Sequence, residues 1–345
     1  MIGLQTWRKL FPAGGGRGDI PSLDYYFLGA LHDLVNVRNS PAPDRPIVRC
    51  GPTTFLVNDR LVIIRYISQK ELSWIRARRF KQVYYVIDDM LPLAERCYEL
   101  PVAYRNKLAR FAREMLPAIL ALNPMIVAPS QEILALFPNW STELVNPCCL
   151  NVAEDFSHFG SATSRSPQVR LAFLGTRSHG AGMEFLTPVL EHLRSLGDMR
   201  CTVFFGKHLP ARLKRLQYID NREPLSWEQF KEFTAHERFH IVLAPLPDTL
   251  FNRGRSISKL MDTVAVGGAG MFSARAPFSG TITHNHDGVL LGDDVTVWCA
   301  EIRRLTANLQ AALLLAQRAV TTAERVGSRK NLRRFWAERL GLSIV

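Results

Sequence analysis

Residues 241–262 read IVLAPLPDTLFNRGRSISKLMD. The opening apolar run predicts a strand over His240–Ala244. A polar, proline-containing loop follows, and then a helix over Ser256–Val266. Gly267, Gly268 and Gly270 let that helix end and a strand begin at Gly270–Ser273 within a few residues. Strand, loop, helix and strand in this order are a unit of a parallel α/β sheet, and such sheets bind ligands beyond the carboxyl ends of their strands. Arg253, Arg255 and Lys259 put positive charge around the helix start, with Ser256 at the N-cap place. Two readings fit. One is a cradle for a nucleotide pyrophosphate, with Asp262 accepting hydrogen bonds from ribose or sugar hydroxyls. The other is a basic, capped surface helix.

Working upstream, Val169–Leu174 predicts a strand, Gly175–Gly182 a polar turn and Met183–Ser195 a helix. Gly175-Thr176-Arg177-Ser178-His179 therefore lies where a strand passes into a helix. Backbone N–H groups at such a turn attract phosphate, and Arg177 adds a charge-assisted donor. Every α/β protein has several such turns. Cys201–Phe205 predicts the next strand and Trp227–Ala235 a helix. Downstream come a strand at Gly288–Leu291, helix over Val295–Arg325 and a basic, aromatic helix over Ser328–Leu340.

The first half has the same alternation. Thr54–Val57, Arg60–Tyr66, Val83–Ile87 and Met125–Ala128 predict strands, and their unbroken apolar runs suit strands covered on both faces. Asp24–Val37, Gln69–Phe80 and Ala103–Leu120 predict helices. Asp88 and Asp89 close one strand, placed either to act on a substrate hydroxyl or to cap a helix in solvent. The serine-rich stretch Ser157–Pro167 predicts an interdomain linker. The expected division is 1–156, linker 157–167, 168–325 and a final helical segment 326–345.

Composition agrees with two globular α/β domains. The chain has 345 residues, 47% of them hydrophobic and 21% charged. No apolar run reaches the ~20 residues of a membrane span, and basic residues interrupt Met1–Phe11 before a signal-type core develops. The expected location is therefore the cytoplasm. Met1–Phe11 predicts an amphipathic helix, suited to a membrane interface or to ordinary packing. The glycine-rich Ala13–Gly18 has no following Gly-Lys-Ser/Thr and is not a P-loop. None of the six cysteines forms a C-x-x-C pair, so they read as buried thiols. The net charge of +12 is scattered in short groups such as Arg76, Arg78, Arg79 and Lys81. That scatter suits an anionic membrane or a polyphosphate more than a nucleic-acid groove, and no helix-turn-helix or RNA-binding aromatic motif accompanies it.

Taken in order, these segments resemble the retaining GT-B glycosyltransferases of the large family 4, of the bacterial surface-polysaccharide type. The carrying residues are Phe173–His179 (FLGTRSH), Leu243–Asp262 against the pattern LAPLxDTxFNRxKSxxKxxE, Gly268–Ser273 (GAGMFS) and His284–Leu291 (HNHDGVLL). Tyr85–Asp89 (YVIDD) adds a match in the first half. The resemblance implies two Rossmann-like domains facing each other across a cleft. It implies a nucleotide-sugar donor on the second domain, held by Gly175, Thr176, Arg177, His179, Asn252, Arg255, Ser256 and Asp262. It implies a glycan or lipid-linked glycan acceptor on the first. Asp88, Asp89, Arg253 and Lys259 would act in catalysis, with cations and helix-terminal N–H groups in place of a metal, and with no cofactor. The protein would work in polysaccharide or lipopolysaccharide synthesis, peripherally on the inner membrane. The chain departs from the pattern in two respects, one of them Arg255 in place of the commoner lysine. Of the family's two glutamates eight positions apart, Gly254 replaces the first and Asp262 the second.

Overall fold

The computed structural model describes residues 20–36, 45–160, 168–195 and 198–343. The helix expected at Met1–Phe11, the glycines of 13–18 and residues 161–167 of the linker lie outside the described residues.

Two sheets organise the chain. The first runs in chain order through β1 (Val35–Asn36), β2 (Ile47–Arg49), β3 (Thr54–Val57), β4 (Arg60–Ile64), β5 (Gln82–Val86), β6 (Met125–Ala128) and β7 (Thr142–Leu144). From β4 to β7 its pairing is parallel, as the apolar runs predict. β2–β3 and β3–β4 are antiparallel, which departs from an all-parallel reading. The reason is the Asn58-Asp59 turn, where Asn58 takes φ +53° and folds β3 directly back on β4.

The second sheet is wholly parallel. Its strands are β8 (Val169–Phe173), β9 (Met199–Val203), β10 (Ile219–Asn221), β11 (Ile241–Ala244), β12 (Ala269–Ser273) and β13 (Val289–Leu291). Their spatial order is β10-β9-β8-β11-β12-β13. This is the doubly wound dinucleotide order. The chain leaves β8 and β11 in opposite directions, so a crevice opens beyond Leu174 and Ala244.

Several helices are shorter than the apolar periodicity predicts. Ala103–Leu120 divides into Val102–Glu114 and Leu116–Leu120, because Pro117 cannot supply an N–H in mid-helix and instead opens the second piece. Val295–Arg325 divides at Asn308, whose side chain caps Leu309–Val326. Asp24–Val37 shifts to a helix over 21–31 with a π-helical middle, Asp24–Leu28.

The final helix, Arg329–Leu340, packs on the first domain. Trp336 is fully buried there, its Nε1–H donating to Tyr26 O at 2.6 Å and its ring set edge-on to Phe27 and Tyr84. Trp336→Ala is expected to cost about 3–5 kcal/mol, measured as a lower midpoint in urea unfolding.

The start of the linker is pinned by a histidine pair. His240 Nδ1 accepts from Arg170 N–H at 2.9 Å, so its proton sits on Nε2 and is donated to His158 O at 3.0 Å. Burial, followed by the nearby His158, lowers the His240 pKa to about 4. An unfolded histidine protonates near 6.5. The unfolded state therefore takes up the proton first, and stability falls as pH drops from about 6.5 toward 4. Unfolding followed at pH 7 and pH 4.5 should show this loss, and His240→Gln should reduce it.

Candidate active site

The crevice between the two sheets holds a cavity of about 330 Å³. On the second-domain side, the Leu174–His179 turn forms one wall. Gly175 is required by close approach, since a Cβ there would stand 2.7 Å from the Phe173 ring. Thr176 and His179 line the cavity, while Arg177 is exposed and is not part of the lining. His179 Nδ1 accepts from Thr176 N–H at 3.4 Å, which leaves Nε2 to carry the ring proton. Burial, reinforced by the charges of Lys259 and Arg255, holds the His179 pKa well below its ordinary value. The ring is a neutral N–H donor at pH 7.

The loop after β11 crosses the crevice. Leu246 N–H is anchored on Ser273 Oγ at 2.7 Å. The loop then carries Phe251 into the first domain's core, where the ring is 1% exposed and its N–H donates to Glu99 Oε1 at 2.7 Å. Asn252 braces the turn through Pro247 O at 3.0 Å and faces a smaller recess, not the main cavity. Arg253 also lies outside the cavity. Its guanidinium is exposed and pairs with both oxygens of Asp248, at 2.9 and 3.2 Å. Ser256 lines the cavity but is not the N-cap. The Ser258–Ala265 helix begins after Ile257, and Ser256 Oγ accepts from Ser258 N–H at 3.3 Å.

Lys259 and Asp262 share one face of that short helix. Lys259 Nζ donates to Asp262 Oδ2 at 2.8 Å and to Leu174 O. Arg255 turns the other way, to Asp89 Oδ1 of the first domain at 3.6 Å. Its Nε and Nη2 are buried with no hydrogen-bond partner, a costly arrangement for a charged group.

On the first-domain side, Asp88 and Asp89 follow β5 and line the cavity. Arg65, just after β4, lies between them, 3.3 Å from Asp88 Oδ1 and paired with Asp89. Ser22 Oγ donates to Asp88 Oδ2 at 2.6 Å, and Tyr104 O–H to Asp89 Oδ2 at 3.3 Å. Back on the second-domain side, the aromatic and apolar side chains Phe204, Leu225, Trp227 and Phe230 complete the lining. Among the described residues, no group of three or more His, Cys, Asp or Glu side chains is placed to hold a metal ion.

Sequence reasoning missed Ser22, Tyr25, Arg65, Tyr104 and Trp227. Arg65 carried one faint signal, a cation ending an otherwise apolar strand. The others reach the cavity only through the way the domains meet.

The two-domain fold is shared with solved structures. Sucrose-phosphate synthase from Thermosynechococcus elongatus superposes with a TM-score of 0.59 at 11% identity, over 83% of this chain and 74% of that one. HepE from Anabaena, in complex with UDP and glucose, gives 0.56 at 14%, over 81% and 77%. A UDP-forming α,α-trehalose-phosphate synthase from Burkholderia vietnamiensis gives 0.50 at 9%, over 82% and 74%. These are GT-B glycosyltransferases, and the fold of this chain is GT-B. No protein-family model and no curated protein matches the sequence.

The site also accounts for Gly254. A Cβ at that position would lie 2.6 Å from Met90 Cγ and Sδ and 3.1 Å from Ile133 Cγ1, both in the first domain. Introducing a glutamate with Gly254→Glu is expected to force the domains apart and to destabilise the protein by about 1–3 kcal/mol. Thermal unfolding checks the sign.

Proposed function

We propose that this protein is a glycosyltransferase. The second domain holds a nucleotide-sugar donor, and the first holds a glycan or lipid-linked glycan acceptor. The observation that carries this reading is the convergence of Lys259, Asp262 and neutral His179 with Asp88 of the opposite domain on one cavity at the strand-order switch point.

In this reading Lys259, the His179 Nε2–H and the first amides of the Ser258–Ala265 helix face the donor diphosphate. They stabilise the charge that grows there as the bond to the sugar breaks. Asp262 receives a hydroxyl of the ribose or sugar. Asp88 receives the acceptor hydroxyl; Asp89 is already held by Arg65, Arg255 and Tyr104. The acceptor oxygen bonds to the anomeric carbon on the face the diphosphate leaves, so configuration is retained. The acceptor proton passes to Asp88 or to the departing phosphate. Complexes of HepE with UDP-glucose support a nucleotide-sugar partner for this fold. Arg253, exposed and paired with Asp248, has no part in the chemistry on this geometry.

The acceptor class is a glycan of a surface polysaccharide or lipopolysaccharide, reached at an anionic membrane face to which the +12 chain is drawn. Among the described residues, no helix is long and apolar enough to cross a membrane. Gly254 favours a second reading, a binding subunit of a glycan-assembly complex without turnover of its own.

Thermal unfolding with UDP-, GDP-, dTDP- and CMP-sugars tests the proposal. At least one donor should raise the midpoint, and its turnover to free nucleotide should fall about 10²–10³-fold in Lys259→Ala. Arg253→Ala should stay within about threefold of wild type, as suits an exposed surface pair. Silence across the panel removes the donor reading. Binding without turnover leaves the subunit reading.

A further inference from the structure

Asp262 belongs to the second domain, yet the first domain holds one of its oxygens. Tyr25 O–H donates to Asp262 Oδ1 at 2.6 Å, and both side chains are buried. Lys259 holds Oδ2 at 2.8 Å. The carboxylate is therefore clamped, one oxygen from each domain. Tyr25 is itself held rigidly. It sits in the π-helical stretch Asp24–Leu28, a rare geometry that recurs at functional sites. Its ring lies 5.4 Å from that of Trp227. Trp227 Nε1–H and Lys231 Nζ both donate to Asp24 Oδ2, at 2.7 and 2.8 Å. Burial, and after it the charge of Asp262, raises the Tyr25 phenol well above its ordinary range, so it remains an O–H donor at any working pH.

We propose that Tyr25 is a positioning residue. It orients the Asp262 carboxylate toward a ribose or sugar hydroxyl of the donor, so that the acceptor half completes the donor site. The inference rests on the glycosyl-transfer reading above. It also gives a reason for aspartate at position 262. A side chain one methylene shorter than glutamate has fewer torsions, and two fixed donors suffice to set it. Both domains must be docked before the carboxylate is oriented.

The test is a double-mutant cycle on the full-length chain, read by calorimetric binding of UDP, GDP, dTDP and CMP, using whichever binds wild type most tightly. Inorganic pyrophosphate, which has no hydroxyl for Asp262, serves as the control. Tyr25→Phe removes one hydrogen bond to a charged group and should weaken nucleotide binding roughly tenfold or more. It should leave pyrophosphate binding within about twofold. Asp262→Asn should weaken the nucleotide as well, and the double variant should be no worse than Asp262→Asn alone, because Tyr25 acts through Asp262. Four outcomes overturn the inference: multiplicative losses in the double variant, unchanged nucleotide affinity in Tyr25→Phe, tighter binding in Tyr25→Phe, or loss of pyrophosphate with it. Tighter binding would make Tyr25 a plug. Failure of wild type to bind any of the four nucleotides would instead remove the glycosyl-transfer reading, and this inference with it.

Discussion

Phe251 is the side chain on which the site depends. It leaves a loop of the second domain and is buried beside Met90, Tyr104 and Ile133 in the core of the first. Burying a phenylalanine is worth about 1.5–3 kcal/mol, and the hydrogen bonds from Phe251 N to Glu99 and from Ser130 Oγ to Gly254 O add direction. Everything after it in the loop inherits its place. Gly254 is pressed on Met90, Arg255 is carried to Asp89, and the helix bearing Lys259 and Asp262 starts at the cavity wall. Interfaces between domains of one chain are ordinarily polar and mobile. Here an apolar anchor sets the spacing of the two half-sites.

The cavity wall is electrically balanced before any ligand arrives. Arg65, Arg255 and Lys259 face Asp88, Asp89 and Asp262, while His179 is neutral. A diphosphate brings further negative charge into a region of weak screening, so it needs donors not already spent. In the reading proposed above, the His179 Nε2–H would meet that need without a fresh cation to bury. Arg65 is committed to Asp88 and Asp89 within the first domain, and Arg255 reaches Asp89 from across the cleft, which holds the two carboxylates in place.

The second sheet was largely legible in the chain. Its strands are continuous apolar runs broken by glycine and proline, and that period survives tertiary packing. Short strands were not legible: Ile47–Arg49, Thr142–Leu144 and Ile219–Asn221 have three residues each, include polar ones, and owe their existence to a neighbouring strand. The Asn58-Asp59 hairpin has a local signature, two turn residues between apolar runs, which a reading of those runs as parallel strands does not use. At the site, residues belonging to one strand–loop–helix unit, such as Thr176, His179, Lys259 and Asp262, reach the cavity their spacing suggested. Arg253 does not, because Asp248 five positions earlier draws it into solvent, a local pairing that a charge pattern alone does not rank. Tyr25, Ser22 and Arg65 come from the opposite domain, and no local pattern encodes an encounter between residues 25 and 262.

The return of Arg329–Leu340 to the first domain bears on how the chain reaches its native state. Tyr26, Phe27 and Tyr84 are covered by Trp336, some 250 to 310 positions later. As the chain emerges from the ribosome, the first sheet can form early, but one apolar face stays bare until the second domain has been made and the last helix follows. The order of synthesis thus opposes the order of burial. For that interval the nascent first domain is a natural client for a chaperone that shields aromatic surface.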